Sequence, residues 1–229
     1  MPTVEVAVTD VAGVRAARAA GAHRVELCVA LEVGGLTPSL GLVERAVEAA
    51  GPVGVHVLLR PRPGDFVHDA DEFAVVVHDA SVALDAGAAG IVVGPLRLDG
   101  RFDVDALHRL RELAGDADLT VHRAFDVHPG VEENVADLLS VGVDRILTSG
   151  GADSAHDGTA RIARAVAAAD GRIAVTAGGG VRPERVGELL AATGVTDVHL
   201  SARRLTYEDT GFGARYDVDP DLVARAVGA

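Results

Sequence analysis

The chain has 229 residues, of which 34 are acidic and 21 basic, and its formal net charge at pH 7 is -13. This balance disfavours nucleic acids and anionic membranes as partners, because both reward a basic surface. Lysine is absent and every basic residue is arginine. The chain therefore cannot be a Schiff-base aldolase, a pyridoxal enzyme or a Walker-type nucleotide-binding protein, since each of these needs a lysine amine.

The cysteine content and the start of the chain indicate the compartment. Cys28 is the single cysteine, so no intramolecular disulfide can form. The first residues, Met1 to Val4, lack the basic and apolar regions of a signal peptide. No apolar run approaches the roughly 20 residues of a membrane span. We expect a cytoplasmic protein without a membrane partner.

A repeat of glycines divides the chain into units. Each of these glycines closes an alanine- or leucine-rich segment and precedes a short apolar run: Gly21, Gly51, Gly87, Gly115, Gly142, Gly171 and Gly194. A glycine after a helix supplies the left-handed position that ends it, and a following run of β-branched residues is typical of a buried strand. The chain is thus predicted to alternate strands and helices.

Eight strands are predicted in chain order. They are Val4–Val8, Arg24–Cys28, Val53–Leu58, Gly90–Val93, Leu119–Ala124, Arg145–Thr148, Ile173–Thr176 and Val198–Leu200. Eight strand–helix units of this spacing predict one (β/α)8 TIM barrel of parallel strands covering residues 1–229 as a single domain. The alternative, an open doubly wound sheet, more often has six strands or fewer.

The predicted fifth strand ends in residues whose side chains can act in catalysis or binding. The run 120–126 reads Thr-Val-His-Arg-Ala-Phe-Asp and is followed by Pro129. If strand geometry persists to its end, His122 and Asp126 lie on one side and Arg123 on the other. The active site of a barrel lies at the carboxyl ends of its strands. We therefore expect these side chains to meet at the mouth of the barrel.

Other strand ends add to this group. The candidate catalytic residues are Glu26, His56, Arg60, His122, Arg123 and Asp126. Clustered carboxylates and imidazoles shift each other's pKa towards neutrality, as acid–base catalysis requires, with the arginines as anion clamps. Two histidines and two carboxylates would equally suit a divalent ion such as zinc or manganese. A third alternative is a salt-bridged barrel core without reactivity.

A second group predicts an anion site. Its residues follow strands 6, 7 and 8: Ser149, Gly178, Gly179, Gly180, Ser201 and Arg203. Successive glycines free backbone amides to approach an anion, and many barrels hold a substrate phosphate at this position. The glycines could instead form only a tight turn, with Pro183 starting the next helix.

Seven motifs in order resemble one known family. They are Glu26-Leu27-Cys28, residues 34–39, residues 60–66 (Arg-Pro-Arg-Pro-Gly-Asp-Phe), residues 122–126, residues 147–150, residues 178–181 and Ser201-Ala202-Arg203. The chain is identified on these motifs as similar to the CutC family over about residues 4–204. The resemblance implies a cytosolic TIM barrel, a homo-oligomer (dimer or tetramer), and a role in copper homeostasis and copper binding. It implies no established reaction. After Arg204, only residues 219–227 are predicted as a helix.

The copper expectation depends on soft ligands. Relatives proposed to bind copper(I) have one cysteine near the end of strand 1 and one in the Glu-Leu-Cys motif, and copper(I) prefers such thiolates. Here Ala7 stands at the first position, so Cys28 is at most a weak metal ligand, with His56 as its one available partner. We expect any bound copper to be weak.

Two hypotheses follow from the sequence. One is a CutC-like barrel that acts in copper homeostasis by binding or trafficking the ion. The other is a lysine-free barrel enzyme, an isomerase, epimerase or lyase, whose partner is a small anionic or phosphorylated metabolite. Only the second accounts for the clustered Arg, His and Glu residues.

Overall fold

The computed structural model describes residues 1–207, 211 and 213–229. Its eight parallel strands are β1 (Thr3–Val8), β2 (Arg24–Leu27), β3 (Gly54–Leu58), β4 (Gly90–Val93), β5 (Asp118–Val121), β6 (Arg145–Thr148), β7 (Ala174–Gly178) and β8 (Asp197–Leu200). Each strand pairs with the next in chain order, and β8 pairs with β1, so the sheet closes. The predicted (β/α)8 barrel is confirmed.

Helices alternate with the strands and surround them. They are α1 (Val11–Ala19), α2 (Leu40–Ala50), α3 (Ala70–Asp85), α4 (Val104–Ala114), α5 (Val131–Val141), α6 (Thr159–Ala169), α7 (Val186–Thr193) and α8 (Pro220–Val227). Between β8 and α8 lies an antiparallel hairpin of β9 (Arg203–Tyr207) and β10 (Arg215–Val218), which the sequence did not predict. Among the described residues, no helix is both long and apolar enough to cross a membrane.

Local sequence explains where the helices begin and end. The helix α3 begins with a capping box, in which Asp69 accepts from the backbone of Glu72 and Glu72 accepts from that of Asp69. The helix α5 ends at Gly142, whose φ of 79° is the left-handed conformation that glycine adopts at low cost. These signals set where α3 begins and where α5 ends, and both helices bury apolar residues such as Val76 and Leu138 in the core.

The strands bury two different surfaces. Their outward residues, such as Val6, Val25 and Ile91, are fully buried against the helices. The inward residues near the amino ends of the strands are charged: Arg24 Nε lies 2.9 Å from Glu5 Oε2, and Arg145 Nη1 lies 2.6 Å from Asp197 Oδ1. A buried charge is stable only when paired. The interior near the amino ends of the strands is therefore filled by an ion-pair network. The polar groups that line a cavity lie nearer the carboxyl ends.

The fifth strand is shorter than the sequence predicted. It ends at Val121 and gives way to a 3-10 helix, Arg123–Asp126, which His122 caps. The predicted end at Ala124 is wrong, and strand geometry does not persist to residue 126: the His122 side chain accepts the backbone N–H of Ala124 where the chain bends. The turn brings Arg123 and Asp126 to the same side, within 3.2 Å of each other (Nε to Oδ2).

Candidate functional site

A cavity of about 220 Å³ opens at the carboxyl ends of the strands. Its polar lining comes from β2, β8 and the loops after β3, β5, β7 and β8: Glu26, Arg60, His122, Arg123, Gly179, Gly180, His199 and Ser201. Its apolar lining includes Leu58, Phe66 and Leu147. The structure thus brings four of the six predicted catalytic residues to one cavity.

Glu26 is a buried carboxyl that faces this cavity. Its residue is 6% exposed, and its Oε2 atom has no hydrogen-bond partner in the described part of the chain. Burial raises the pKa of Glu26 to about 7, and the negative Glu5 adds to this while His199 opposes it. A carboxyl with a pKa near neutrality can both take and return a proton, which general acid–base catalysis requires.

Beside Glu26 lies a pair of residues that the sequence prediction missed. His199 Nδ1 is 2.8 Å from Glu5 Oε1 and 3.9 Å from Glu26 Oε2. Burial disfavours the charged forms of both Glu5 and His199. For Glu5, the hydrogen bond and charge of His199, together with the charge of Arg24, outweigh burial and lower its pKa. In turn the two carboxylates outweigh burial and raise the pKa of His199. The signal was a polar side chain at an inward position of each strand, Glu5 in β1 and His199 in β8.

His122 lies across the cavity from the strand 1 and 2 carboxyls. Its Nδ1 accepts from Ala124 N at 3.1 Å, and its ring packs on Phe66 with centroids 4.7 Å apart. Burial, together with the positive charge of Arg60, lowers the pKa of His122 to about 3. The imidazole is therefore neutral, with one nitrogen already used by the backbone.

Arg60 is a buried cation whose charge is not neutralised locally. Its residue is 6% exposed, and its Nη atoms donate to the carbonyls of Val33, Gly35 and Gly64. Its Nε has no hydrogen-bond partner, and it forms no ion pair with a carboxylate, among the described residues. A guanidinium in this setting attracts an anion.

Arg123 provides a second guanidinium group in the lining of the cavity. Its Nη2 donates to Ser149 Oγ at 2.8 Å, and its Nε lies 3.2 Å from Asp126 Oδ2. The guanidinium lies over Gly179, where a Cβ atom would come within 3.4 Å of Arg123 Cζ. Gly179 and Gly180 have φ of +96° and +63°, the left-handed region that favours glycine. Their backbone therefore approaches the cavity beside the arginine.

Of the other members of the predicted anion group, only Ser201 lines the cavity among the described residues. Gly178 belongs to β7, where a Cβ would meet Leu147 Cδ1 at 2.4 Å, so close packing requires glycine at this position. Ser149 is fully buried behind Arg123. Ser201 lines the cavity, whereas Arg203 lines a neighbouring space of about 350 Å³ and stacks on Tyr216, 4.7 Å from the ring centroid.

Asp126 supports the site without lining the 220 Å³ cavity. Its carboxylate accepts from Thr148 Oγ1 at 2.5 Å, Ser149 N at 3.0 Å and Gly151 N at 2.9 Å, besides its contact with Arg123. It also borders an adjoining space of about 410 Å³. Because its oxygens are occupied by donors, Asp126 fixes the loop after β6 and orients Arg123.

His56 lies deeper in the barrel than predicted. It pairs in register with Glu26 on one side and Gly90 on the other, it is 2% exposed, and it does not line the cavity. A Cβ at Gly90 would lie 2.6 Å from His56 Nδ1, so the imidazole fills space that glycine leaves. Burial, with the charge of Arg24, lowers the pKa of His56 to about 4. His56 therefore neighbours Glu26 in the sheet, but the structure does not bring it to the cavity that the other candidates line.

Cys28 is a packed apolar residue. It is fully buried, its Sγ points to the Val8 carbonyl at 3.9 Å, and it packs with Leu58 and Val92. Burial, together with the negative charge of Glu26, raises the pKa of its thiol above the usual range. A metal ligand must be a thiolate, so the environment of Cys28 opposes copper binding.

One cluster of metal-compatible donors is present among the described residues. Ligand atoms of Glu5, Glu26 and His199 lie within 4.8 Å of one another. These are nitrogen and oxygen donors, which suit zinc or manganese better than copper(I). However, Arg24 and His199 already neutralise Glu5 through hydrogen bonds. Glu5 is therefore already paired, whereas Oε2 of Glu26 keeps no hydrogen-bond partner among the described residues.

Together the closed barrel and its lining define a TIM-barrel protein with a charged cavity at the carboxyl ends of its strands. The sequence profile described as the CutC family matches residues 2–204. The chain belongs to the CutC family, as its motifs indicated.

Individual relatives agree with this assignment. A CutC family protein of Agrobacterium fabrum is 46% identical over 206 residues, covering 90% of this chain and 81% of the relative. One of Sinorhizobium medicae is 44% identical, covering 86% and 80%. Among solved structures, a CutC protein of Streptococcus agalactiae, whose name provisionally assigns it to copper homeostasis, has a TM-score of 0.83 and 29% identity, covering 88% of this chain and 99% of that one.

Proposed function

We propose that this CutC-family barrel is an acid–base enzyme acting on a small anionic metabolite, with Glu26 as the proton-transferring group. The observation that carries the proposal is the Glu26 carboxyl itself. It is buried, its Oε2 is unpartnered among the described residues, it faces the cavity, and its pKa is about 7. A carboxyl in such a state is costly to maintain, and it is the state that proton transfer at neutral pH uses.

The anionic character of the substrate follows from the other side of the cavity. Arg60 offers an unpaired buried Nε, and Arg123 with the Gly179–Gly180 backbone offers further donors. Backbone amides freed by glycine and a guanidinium are the groups that bind phosphate or carboxylate. An anion held there would lie in the same cavity as Glu26.

The reaction class is limited by what the chain lacks. Without lysine, no side-chain amine is present to form an imine with a carbonyl substrate. The proposed chemistry is therefore isomerisation, epimerisation or elimination driven by direct proton transfer.

The proposal is tested first by binding. Inorganic phosphate and a panel of small phosphorylated hydroxy acids and ketones should raise the thermal unfolding temperature, since a ligand that binds only the native state stabilises it. The variant Arg123→Gln should lose most of this protection. The matched control is Arg164→Gln, which removes an exposed arginine paired with Glu132 far from the cavity. It should retain full protection.

Turnover is tested next on the compounds that protect. Conversion followed by proton NMR should disappear in Glu26→Gln, while thermal protection by the same compound persists. If no anion protects the wild-type protein, or if Glu26→Gln converts the compound at the wild-type rate, the proposal is wrong.

Copper homeostasis, which the name of the Streptococcus agalactiae relative mentions, is the second candidate, and family membership is what favours it. The residues present do not fit copper(I): Cys28 is buried with a raised thiol pKa and does not line the cavity, and Ala7 has no donor. We propose that any copper role of this chain does not pass through Cys28. Addition of zinc, manganese or copper in the same thermal assay distinguishes a metal-binding function, which would give protection without any anion.

A further inference from the structure

The imidazole of His122 is held in one tautomer by the backbone. Because the chain turns into a 3-10 helix directly after it, the Ala124 N–H points at His122 Nδ1, 3.1 Å away. A nitrogen that accepts a hydrogen bond carries the ring's lone pair, so in the neutral ring the hydrogen is on Nε2. His122 lines the cavity, so Nε2–H is a donor available to a ligand there.

The surroundings of His122 keep it neutral and fixed. The titratable groups near it are the cation Arg60 and the imidazole of His68, and no ion pair joins His122 to a carboxylate among the described residues. Phe66 packs against one side of the ring. On another side lies Gly94, where a Cβ would approach His122 Cε1 to 2.3 Å. The ring therefore has neither the space to turn nor a partner that would favour a second proton.

We propose that the Nε2–H of His122 donates a hydrogen bond to a carbonyl oxygen of the substrate, while Glu26 takes a proton from the carbon beside that carbonyl. This inference rests on the acid–base function proposed above and specifies its substrate class. The substrate is a small anionic aldehyde or ketone. The cavity of about 220 Å³ is several times the ~30 Å³ share of one water molecule, so it suits a ligand of on the order of ten non-hydrogen atoms.

The step balances with the residues present. The C–H bond next to the carbonyl breaks, and its proton passes to the ionised Glu26 carboxylate. The electron pair forms the C=C bond of an enolate, and the negative oxygen accepts the hydrogen bond from Nε2–H. Return of the proton from Glu26 to carbon regenerates the carbonyl. A base paired with a neutral imidazole donor is an arrangement that enolisation favours, because a neutral donor matches the enol oxygen in acidity better than an imidazolium does.

The experiment follows proton exchange with solvent. Dihydroxyacetone phosphate is incubated with the protein in D₂O, and loss of its C–H signals is measured by proton NMR, with glycerol 1-phosphate as an anion that has no carbonyl. Exchange is expected with the ketone and not with glycerol 1-phosphate. His122→Ala should slow exchange about 100- to 1,000-fold, the usual effect of removing one such donor. Thermal protection by phosphate should persist in this variant, which shows that it is folded.

A second measurement needs no substrate. In protein labelled with ¹⁵N-histidine, His122 should show the Nε2–H tautomer unchanged from pH 5 to 8. An Nδ1–H tautomer, a titration of His122 in that range, or the absence of exchange with the ketone would overturn the inference. Phosphate protection that depends on Arg123, with no exchange of the ketone, would refute the carbonyl substrate and leave the proposed anion-binding enzyme standing.

Discussion

The Nδ1 atom of His199 lies 2.8 Å from Oε1 of Glu5, so the imidazole gives its hydrogen bond to the deeper of two neighbouring carboxyls. Glu5 also accepts from Arg24 Nε at 2.9 Å. Glu26, although only 3.9 Å from the same imidazole nitrogen, receives no hydrogen bond on Oε2 within the described structure. The result is a division of roles, in which Glu5 stays ionised and Glu26 holds the exchangeable proton.

The raised pKa of Glu26 predicts that the stability of the folded protein changes with pH. Its pKa rises from 4.5 to about 7 on folding, so between these values the folded state keeps a proton that the unfolded state has lost. The stabilisation that comes from this proton is therefore fully present below pH 4.5. It is lost as the pH rises to about 7, which lowers the free energy of unfolding by on the order of 3 kcal/mol. Urea unfolding of the wild type and Glu26→Gln at pH 5 and pH 8 measures it, and the variant should lose less.

The control for this prediction is Glu48→Gln, an exposed carboxylate that pairs with Arg45 on α2. It should follow the wild-type pH dependence. Equal losses of stability in the wild type and Glu26→Gln between pH 5 and 8 would show that another group holds the proton.

The second prediction concerns copper. Cys28→Ser should fold, because the swap is nearly isosteric and a hydroxyl can still point to the Val8 carbonyl as the thiol does. A competing copper(I) chelator should remove copper equally well from both proteins, since the buried thiol is not a ligand. Retention of one equivalent by the wild type, lost in Cys28→Ser, would contradict this and restore a copper site at Cys28.

The third prediction separates the packing role of Gly178 from any role in anion binding. Gly178→Ala should destabilise the fold by about 1–3 kcal/mol, since the new methyl group would clash with Leu147 inside the barrel. Gly187→Ala is the matched control, because a Cβ in this exposed turn of α7 meets nothing within 4 Å and should stabilise by about 0.5 kcal/mol. Denaturant unfolding checks both, and an unchanged Gly178→Ala would refute the packing argument.

The fourth prediction concerns Asp126 as a positioning residue. Asp126→Asn should lower stability by about 2–3 kcal/mol, because an amide cannot accept from both Thr148 and the Gly151 N–H while keeping its contact with Arg123. It should also weaken phosphate protection, since Arg123 loses its orientation. The exposed Asp153 offers the control Asp153→Asn, which should change neither. Full phosphate protection in Asp126→Asn would show that Arg123 is held by other contacts.

Much of the barrel was predictable because each strand is short, β-branched and bounded by glycine. The observed bounds of β4 and β6 match the predicted ones, and most others differ by one or two residues. The end of β5 was not predictable from alternation, because a side-chain hydrogen bond from Ala124 N to His122 bends the chain. Propensity does not report such a local contact.

The site was predictable only in part, for a related reason. The strand ends pointed to several residues that the structure places along the cavity, including Glu26 and Arg123, but not to His199. The pairing of Glu5 with His199 joins residues 194 positions apart and depends on barrel closure between β1 and β8. The depth of His56 depends on which neighbours are glycine. Sequence periodicity gives the face of a strand, but not the height at which side chains from different strands meet.

The hairpin of β9 and β10 enters the chain between the last strand and the last helix, at the mouth of the barrel, and its residues are mostly exposed. It begins where the family match ends, at residues 203–204. Most of its described strand residues add little to the buried interior, apart from Val218, which packs against the core. It borders the space next to the cavity through Arg203, Tyr216 and Asp217. Substitutions in the described part of this hairpin can therefore alter the surface beside the cavity without changing any residue that lines the cavity itself.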